Sequence, residues 1–310
     1  MAGRGELTAR VVAAMTWDTG RPESELAQQV DELVARRART PIGRFAATSV
    51  KLFADGIIET FTAAMLEPYL GRDGRPTDDR GIANLAPGHF GEVATALDAR
   101  GFQVHVHAIG DRAVRDALDA FADMRAANGW SGTRPHIAHL QVIHPDDLPR
   151  FRPLGVTANA QAYWAVHEEQ MDALTIPFLG AERAAWQYPW SSLLRNGATF
   201  AMGSDWSVST PDPLAQIEVA VTRVSDDDRG GVPFLPDERL HIADALAAFT
   251  AGSAWANHLD AGSLAVGRLA DLVVLDRDLF DRGAGAVGEA RVLATFLDGE
   301  PVFETPGLGG

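Results

Sequence analysis

Apolar positions along this chain form short runs separated by segments at helical spacing. Residues 10–17 (RVVAAMTW) are one such run, rich in β-formers. Pro22 and Ser24 then open a helix. In it Leu26, Val30, Leu33 and Val34 recur at i, i+4, i+7 and i+8, a single apolar face. Residues 48–54 (TSVKLFA) are nearly continuous apolar sequence with one lysine. Residues 71–88, rich in Gly, Pro, Asp and Arg, read as a surface loop. Residues 90–100 predict a helix ended by Gly101. Residues 102–109 predict a strand carrying two histidines, and Asp111 the N-cap of a helix through about Ala127. The alternation continues with a strand at 135–142, a helix start at Pro145, and strands at 156–161 and 198–202. Residues 242–258 predict one long helix. Six strand-like segments alternating with helices imply a parallel α/β sheet of barrel type. Open doubly wound sheets alternate in the same way, but no glycine-rich phosphate fingerprint follows the first strand. After His258 the pattern changes. Residues 262–278 and 290–304 are Gly-punctuated strands without helices, and predict a small antiparallel β unit. The expected organisation is a domain over 1–258 and a smaller one over 259–310.

Composition narrows the partners. A chain of 310 residues, 46% hydrophobic, is globular and can bury a large core. A net charge of −15 argues against nucleic-acid and anionic-membrane surfaces, which select basic faces. The absence of cysteine excludes disulfides, thiolate metal sites and thiol nucleophiles. It also fits a reducing compartment. The first 17 residues are interrupted by Arg4, Glu6 and Arg10 and lack a signal peptide's long apolar core. No apolar run is long enough to span a bilayer. These features lead us to expect a cytoplasmic protein whose partner is a small molecule.

Polar residues cluster at the C-terminal ends of the predicted strands, where a parallel barrel carries its site. Lys51, His107, His139 and Asp205 each come from a different strand. Two imidazoles with oxygen donors suit a divalent metal such as zinc. A protonated lysine is a poor ligand, but reaction with carbon dioxide turns it into a carbamate, a carboxylate on a long stem. Each residue also has a plainer role. Lys51 fits a snorkelling lysine and Asp205 a turn residue. His105 and His107 share a strand face, which signals metal only with partners. Of His136 and His139, three apart, at most one faces the core of an extended strand. Trp164, Trp186, Trp190 and Trp206 read as packing residues.

In segment order the chain resembles the amidohydrolase superfamily, specifically the amidohydrolase family 3 group often called YtcJ-like. The segments are SVKLFADG at 49–56, VHVHAIGDRAV at 104–114, HIAHLQVIHPDDLPRF at 136–151, GVTANAQ at 155–161, GSDWSV at 203–208 and FTAGSAWANHLDAGSLAVGRLADLVVLDRD at 249–278. The resemblance implies a TIM-like (β/α)8 barrel with a mononuclear or binuclear metal centre. It also implies hydrolysis of carbon–nitrogen bonds in small amides, formamides or cyclic amides. By the same match Lys51 is the lysine carboxylated in many members, and His107 and His139 are metal ligands. Asp205 holds metal and moves the proton of the attacking water. Residues 262–304 look like the C-terminal part of the family's β-sandwich. Tyr163 and Trp164, just past a strand, are candidate substrate-pocket walls, and the loops at 56–88 and 161–190 are long enough to shape that pocket.

One departure stands out. Family members carry a His-x-His pair on the first barrel strand, and no histidine precedes Lys51 here. The pair at 105–107 cannot substitute for it. Only 98 residues separate His107 from Asp205, too few for seven strand–helix units of a barrel that takes about 250 residues for eight. The expectation is a barrel lacking about its first two βα units. An open sheet of that kind exposes strand edges and invites pairing, for instance in a homodimer. An inactive fragment or pseudoenzyme with a structural or partner-binding role, and a non-hydrolytic metal-binding module, are the competing functional readings.

Overall fold

A computed structural model describes residues 1–281 and 287–306. Strand β1 (Val11–Thr16) leads to helix α1 (Leu26–Arg37) and strand β2 (Phe45–Phe53). Helix α2 (Pro87–Ala99), strand β3 (Gln103–Ala108), helix α3 (Asp111–Asn128) and strand β4 (His136–His139) follow. Then come α4 (Phe151–Leu154), β5 (Thr157–Ala160), α5 (Ile176–Ala184), α6 (Trp190–Arg195) and β6 (Thr199–Met202). The last elements are α7 (Pro213–Thr222), α8 (Ile242–Ala247), α9 (Ser253–Ala256) and strands β7 (Leu272–Leu275), β8 (Val292–Leu297) and β9 (Glu300–Glu304).

Strands β1 to β6 form one sheet in chain order, and each registered pair from β1 to β5 is parallel. The six expected strands are therefore all present. Strands β7, β8 and β9 form an antiparallel sheet, the expected small β unit. The chain divides into two compact units. One is Met1–Asn159 with Glu168–Thr199, the other Ala160–His167 with Phe200–Gly310.

In the first unit the strand alternation sorts side chains by chemistry. Val50 and Leu52 of β2, Val104 and Val106 of β3 and Ile137 of β4 are fully buried on one face. Buried Phe90, Val93 and Leu97 of α2 and Val114, Leu118 and Phe121 of α3 complete that apolar core. The opposite face carries Lys51 and Phe53 from β2, His105 and His107 from β3, and His136 from β4. Period-two alternation thus builds the core with one set of residues and leaves the other set for chemistry.

Two local expectations change. Asp111 is the first residue of α3 and Gly110 is its N-cap, with no side-chain cap bond. The Asp111 carboxylate accepts from the Leu66 backbone N–H of a distant loop at 2.9 Å. The helix expected over 242–258 is divided into α8, a π-helical turn at Ala248–Gly252, and α9. There the backbone of Gly252 lies so near β6 that a Cβ would stand 2.3 Å from the Phe200 carbonyl oxygen. Ser253 Oγ donates to the Met202 carbonyl at 2.6 Å. The widened turn accommodates this approach within the second unit.

Candidate metal-binding site

The parallel register sets which polar groups meet. Lys51 pairs with His105, and Phe53 with His107; His105 pairs with His136. Lys51 Nζ stands 3.0 Å from His105 Nε2. An ammonium only donates, so Nε2 is the acceptor and the His105 proton sits on Nδ1. The His105 ring lies against the buried His136 ring, tilted by 51° with 4.2 Å between centroids. Burial, then the His136 and Lys51 charges, hold His105 well below the ordinary imidazole range.

His107 makes the second layer. Its ring lies 4.6 Å from that of His139 at an interplanar angle of 63°. Simple alternation predicts that only one of His136 and His139 faces the core, and this fails for a local reason. His139 has φ 76°, a left-handed backbone that ends β4 and turns its ring toward His107. His107 Nε2 donates to the Gly56 carbonyl at 3.0 Å, which leaves the Nδ1 lone pair available as a metal donor. Burial lowers the His107 pKa to about 4, so the ring is neutral near pH 7, the form that binds metal.

Asp55, just past β2, has no exposed side-chain surface and stands 3.6 Å from His107 Nε2. Its carboxylate accepts from Ile109 N at 3.0 Å, Gly110 N at 2.8 Å and Ala64 N at 2.9 Å. Burial raises its pKa to about 7 against the pull of those three N–H donors. Nothing in the sequence singled out Asp55, since its partners lie 9 to 55 residues away.

Asp205 and the pocket candidates belong to the second unit. Asp205 has φ 59°. Its carbonyl accepts from Val208 N at 2.8 Å, closing the turn after β6. His139 and Asp205 are thus two of the ten non-glycine residues with positive φ among the described residues. Such strain concentrates at functional positions. Tyr163 N donates to Gln216 Oε1 at 3.0 Å, and Tyr163 Oη donates to Asp226 Oδ1 at 2.9 Å. Trp164 is half-buried beside it. Trp190 is buried as expected, but Trp206 is 69% exposed and packs into no core.

Within the first unit, a cleft of about 620 Å³ is lined by Leu66, Asp111, Arg115, His144, Arg183 and Trp186 among others. The loops expected to shape a pocket contribute to it, but none of Lys51, His105, His107 or His139 lines it. It is a feature separate from the histidine layers.

Do these residues fit a metal? Among the described residues, no group of three or more His, Asp or Glu side chains is arranged to hold an ion. His107 and His139 nevertheless offer neighbouring imidazoles on adjacent strands, with the His107 tautomer already suitable. Lys51 lies on the same face but directs its amine at His105. The set therefore fits a divalent cation through two nitrogens, and through Lys51 once that amine is a carbamate.

The protonation states lead to a pH prediction. A base with a depressed folded pKa leaves stability intact above its unfolded value, 6.5 for histidine. It removes about 1.4 kcal/mol per pH unit below that, until the folded pKa is reached. Asp55 acts oppositely and favours the folded state as pH falls from about 7. The His105 term is isolated by comparison with His105→Gln. As pH falls below 6.5, wild type is expected to lose more stability than the variant, measured by urea unfolding. A pH-independent difference would show that His105 titrates normally in the folded chain.

The chain belongs to the amidohydrolase family, whose model matches residues 1–303. It is 35% identical over 257 residues to Protein LONG AFTER FAR-RED 3 of Arabidopsis thaliana, covering 82% of this chain and 42% of that protein. It is 28% identical to the Putative amidohydrolase YtcJ of Bacillus subtilis, over 83% of this chain and 47% of that protein. An uncharacterized metal-dependent hydrolase from Pyrococcus horikoshii is similar in structure, with TM-score 0.74 and 27% identity. That match covers 92% of this chain and 54% of the other. The chain thus spans about half the length of the relatives it matches.

Proposed function

We propose that the chain acts as a metal-dependent hydrolase of carbon–nitrogen bonds in small non-peptide amides, formamides or cyclic amides. The observation that supports this reading is the His107–His139 ring contact, with the His107 Nε2 proton held by the Gly56 carbonyl. Lys51, His107 and His139 would hold the cation, zinc being the best match to two imidazoles and one carboxylate-like oxygen. When bound, it supplies Lewis acidity, lowering the pKa of a water and polarising the substrate carbonyl.

The chain's own groups do the rest. Formation of the carbamate first removes one proton from the Lys51 ammonium, then joins the neutral Nζ to the carbon of carbon dioxide with release of a second proton. Before that, His105 Nε2 holds Nζ at 3.0 Å on the correct face. His107 and His139 remain neutral donors. Asp205, assigned by its sequence match, takes the water proton and returns it to the leaving nitrogen as general base and then acid. Tyr163, its hydroxyl anchored on Asp226, and Trp164 form a firm wall for the substrate.

The test is elemental mass spectrometry on protein purified without chelator, followed by hydrolysis of N-formyl amines and cyclic amides. At least one divalent ion per chain is expected. Hydrolysis should stop on chelation and return with zinc and bicarbonate. A folded protein without metal, or turnover that survives metal removal, would overturn the reading.

A further inference from the structure

The buried carboxylate of Asp55 touches neither of the roles above, yet it organises the loops on both sides of His107. Its Oδ2 accepts from Ala64 N and Gly110 N, and its Oδ1 from Ile109 N. Two of these donors follow His107 by two and three residues, and the third lies on the loop that returns from Gly56. The Gly56 N–H donates to the Thr62 carbonyl at 3.0 Å, and Asn84 Nδ2 donates to the Asp55 carbonyl at 3.3 Å. One side chain therefore ties residues 55–64 to residues 109–110. The His107 Nε2–H points into the corner between them, 3.0 Å from Gly56 O and 3.6 Å from Asp55 Oδ1.

We infer that Asp55 is a positioning residue: by fixing the Gly56 carbonyl and placing its own Oδ1 beside Nε2, it locks His107 in the Nε2–H tautomer and presents Nδ1 to the cation. This deepens the proposed function and rests on His107 being a ligand. The charge argument is direct. Its two oxygens accept from three backbone N–H groups, and the imidazole N–H lies beside Oδ1. A carboxylate, with two acceptor oxygens, takes all three bonds without conflict and sets an acceptor beside the imidazole N–H.

Asparagine cannot do so. If its amide nitrogen takes the Oδ2 place, it opposes the Ala64 and Gly110 donors. If it takes the Oδ1 place, it opposes Ile109 N and offers a donor to His107 Nε2, which favours the wrong tautomer. Partners that orient a ligating histidine in this way are worth about 10–100-fold in metal affinity.

The experiment uses the full chain with 15N-labelled histidine, free of metal, at pH 8. Long-range 1H–15N spectra report the tautomer, the His107 signals being those missing from His107→Gln. Zinc affinity is measured in parallel with bicarbonate present. Wild type is expected to show the Nε2–H form. Asp55→Asn is expected to shift His107 toward Nδ1–H and to bind zinc about 10–100-fold more weakly, with its far-UV spectrum retained. Should asparagine unfold the loop, Asp55→Ser, which leaves room for water at the three N–H groups, gives the same readout. A wild-type Nδ1–H form, or a variant with unchanged tautomer and zinc affinity, would overturn the inference. Equal zinc affinity in His107→Gln and wild type would overturn the metal reading instead, while the tautomer still decides the role of Asp55.

Discussion

Asparagine at His107 or at His139 is expected to lower zinc affinity by at least about 1000-fold, well beyond the 10–100-fold attached to an outer hydrogen-bond partner. Each substitution deletes one of two nitrogen donors, and the third donor exists only as a carbamate on Lys51. A site with so few protein ligands has no reserve. Competition with a coloured chelator gives the affinities. The two variants should also stay folded, because both histidines lie near the ends of their strands, on the face opposite the apolar core. Retained tight zinc binding in either variant would remove that histidine from the site. Asp205→Asn should behave differently. General acid–base catalysis is worth about 10²–10⁴-fold, so its main loss should be in kcat, with metal retained. A variant losing metal and activity together would make Asp205 a ligand first.

Much of the first unit's framework was legible in the chain, because burial on one sheet face leaves a periodic trace. The apolar runs around Val50, Val104, Ile137 and Ala158 all became strands of the parallel sheet. What was not legible depends on contacts between distant residues. That Lys51 meets His105 rather than His107 follows from strand register, which alternation within one strand does not specify. The shared orientation of His136 and His139 depends on the positive φ of His139, a tertiary outcome at a residue type that does not announce it. Asp55 carries no signal within its own segment, and only its three remote N–H donors single it out. Trp206, read as a packing residue, is exposed because it sits on the turn after β6 rather than on a core face. The family resemblance proposes Lys51, His107, His139 and Asp205 by motif. Within the first unit the structure adds His105 and His136 next to Lys51 and the Asp55 carboxylate next to His107.

That clamp leads to the largest expected loss of stability, at Gly110. A Cβ on this residue would stand 2.0 Å from the Ala64 carbonyl oxygen, 2.7 Å from its carbon and 2.9 Å from its nitrogen. All three are backbone atoms, so no side chain can rotate aside. Glycine is needed here for space, since its φ of −80° is open to any residue. The loop cannot simply retreat. Ala64 N donates to Asp55 and Ala64 O accepts from Arg112 N at 3.1 Å, serving one of the unpaired donors at the start of α3. Gly110→Ala must therefore break at least these two bonds, each worth about 1 kcal/mol, on top of an overpacking cost of about 1–3 kcal/mol. The expected destabilisation is about 3–5 kcal/mol by urea unfolding. Gly88 of α2 is the control, because nothing lies within 4 Å of its added Cβ. Alanine there should be neutral or should stabilise by up to about 1 kcal/mol. Near-equal stabilities for the two variants would mean that the 64–110 contact does not hold the loop. The effect should also reach the site: displacing Ala64 loosens Asp55, and with it the carbonyl that orients His107.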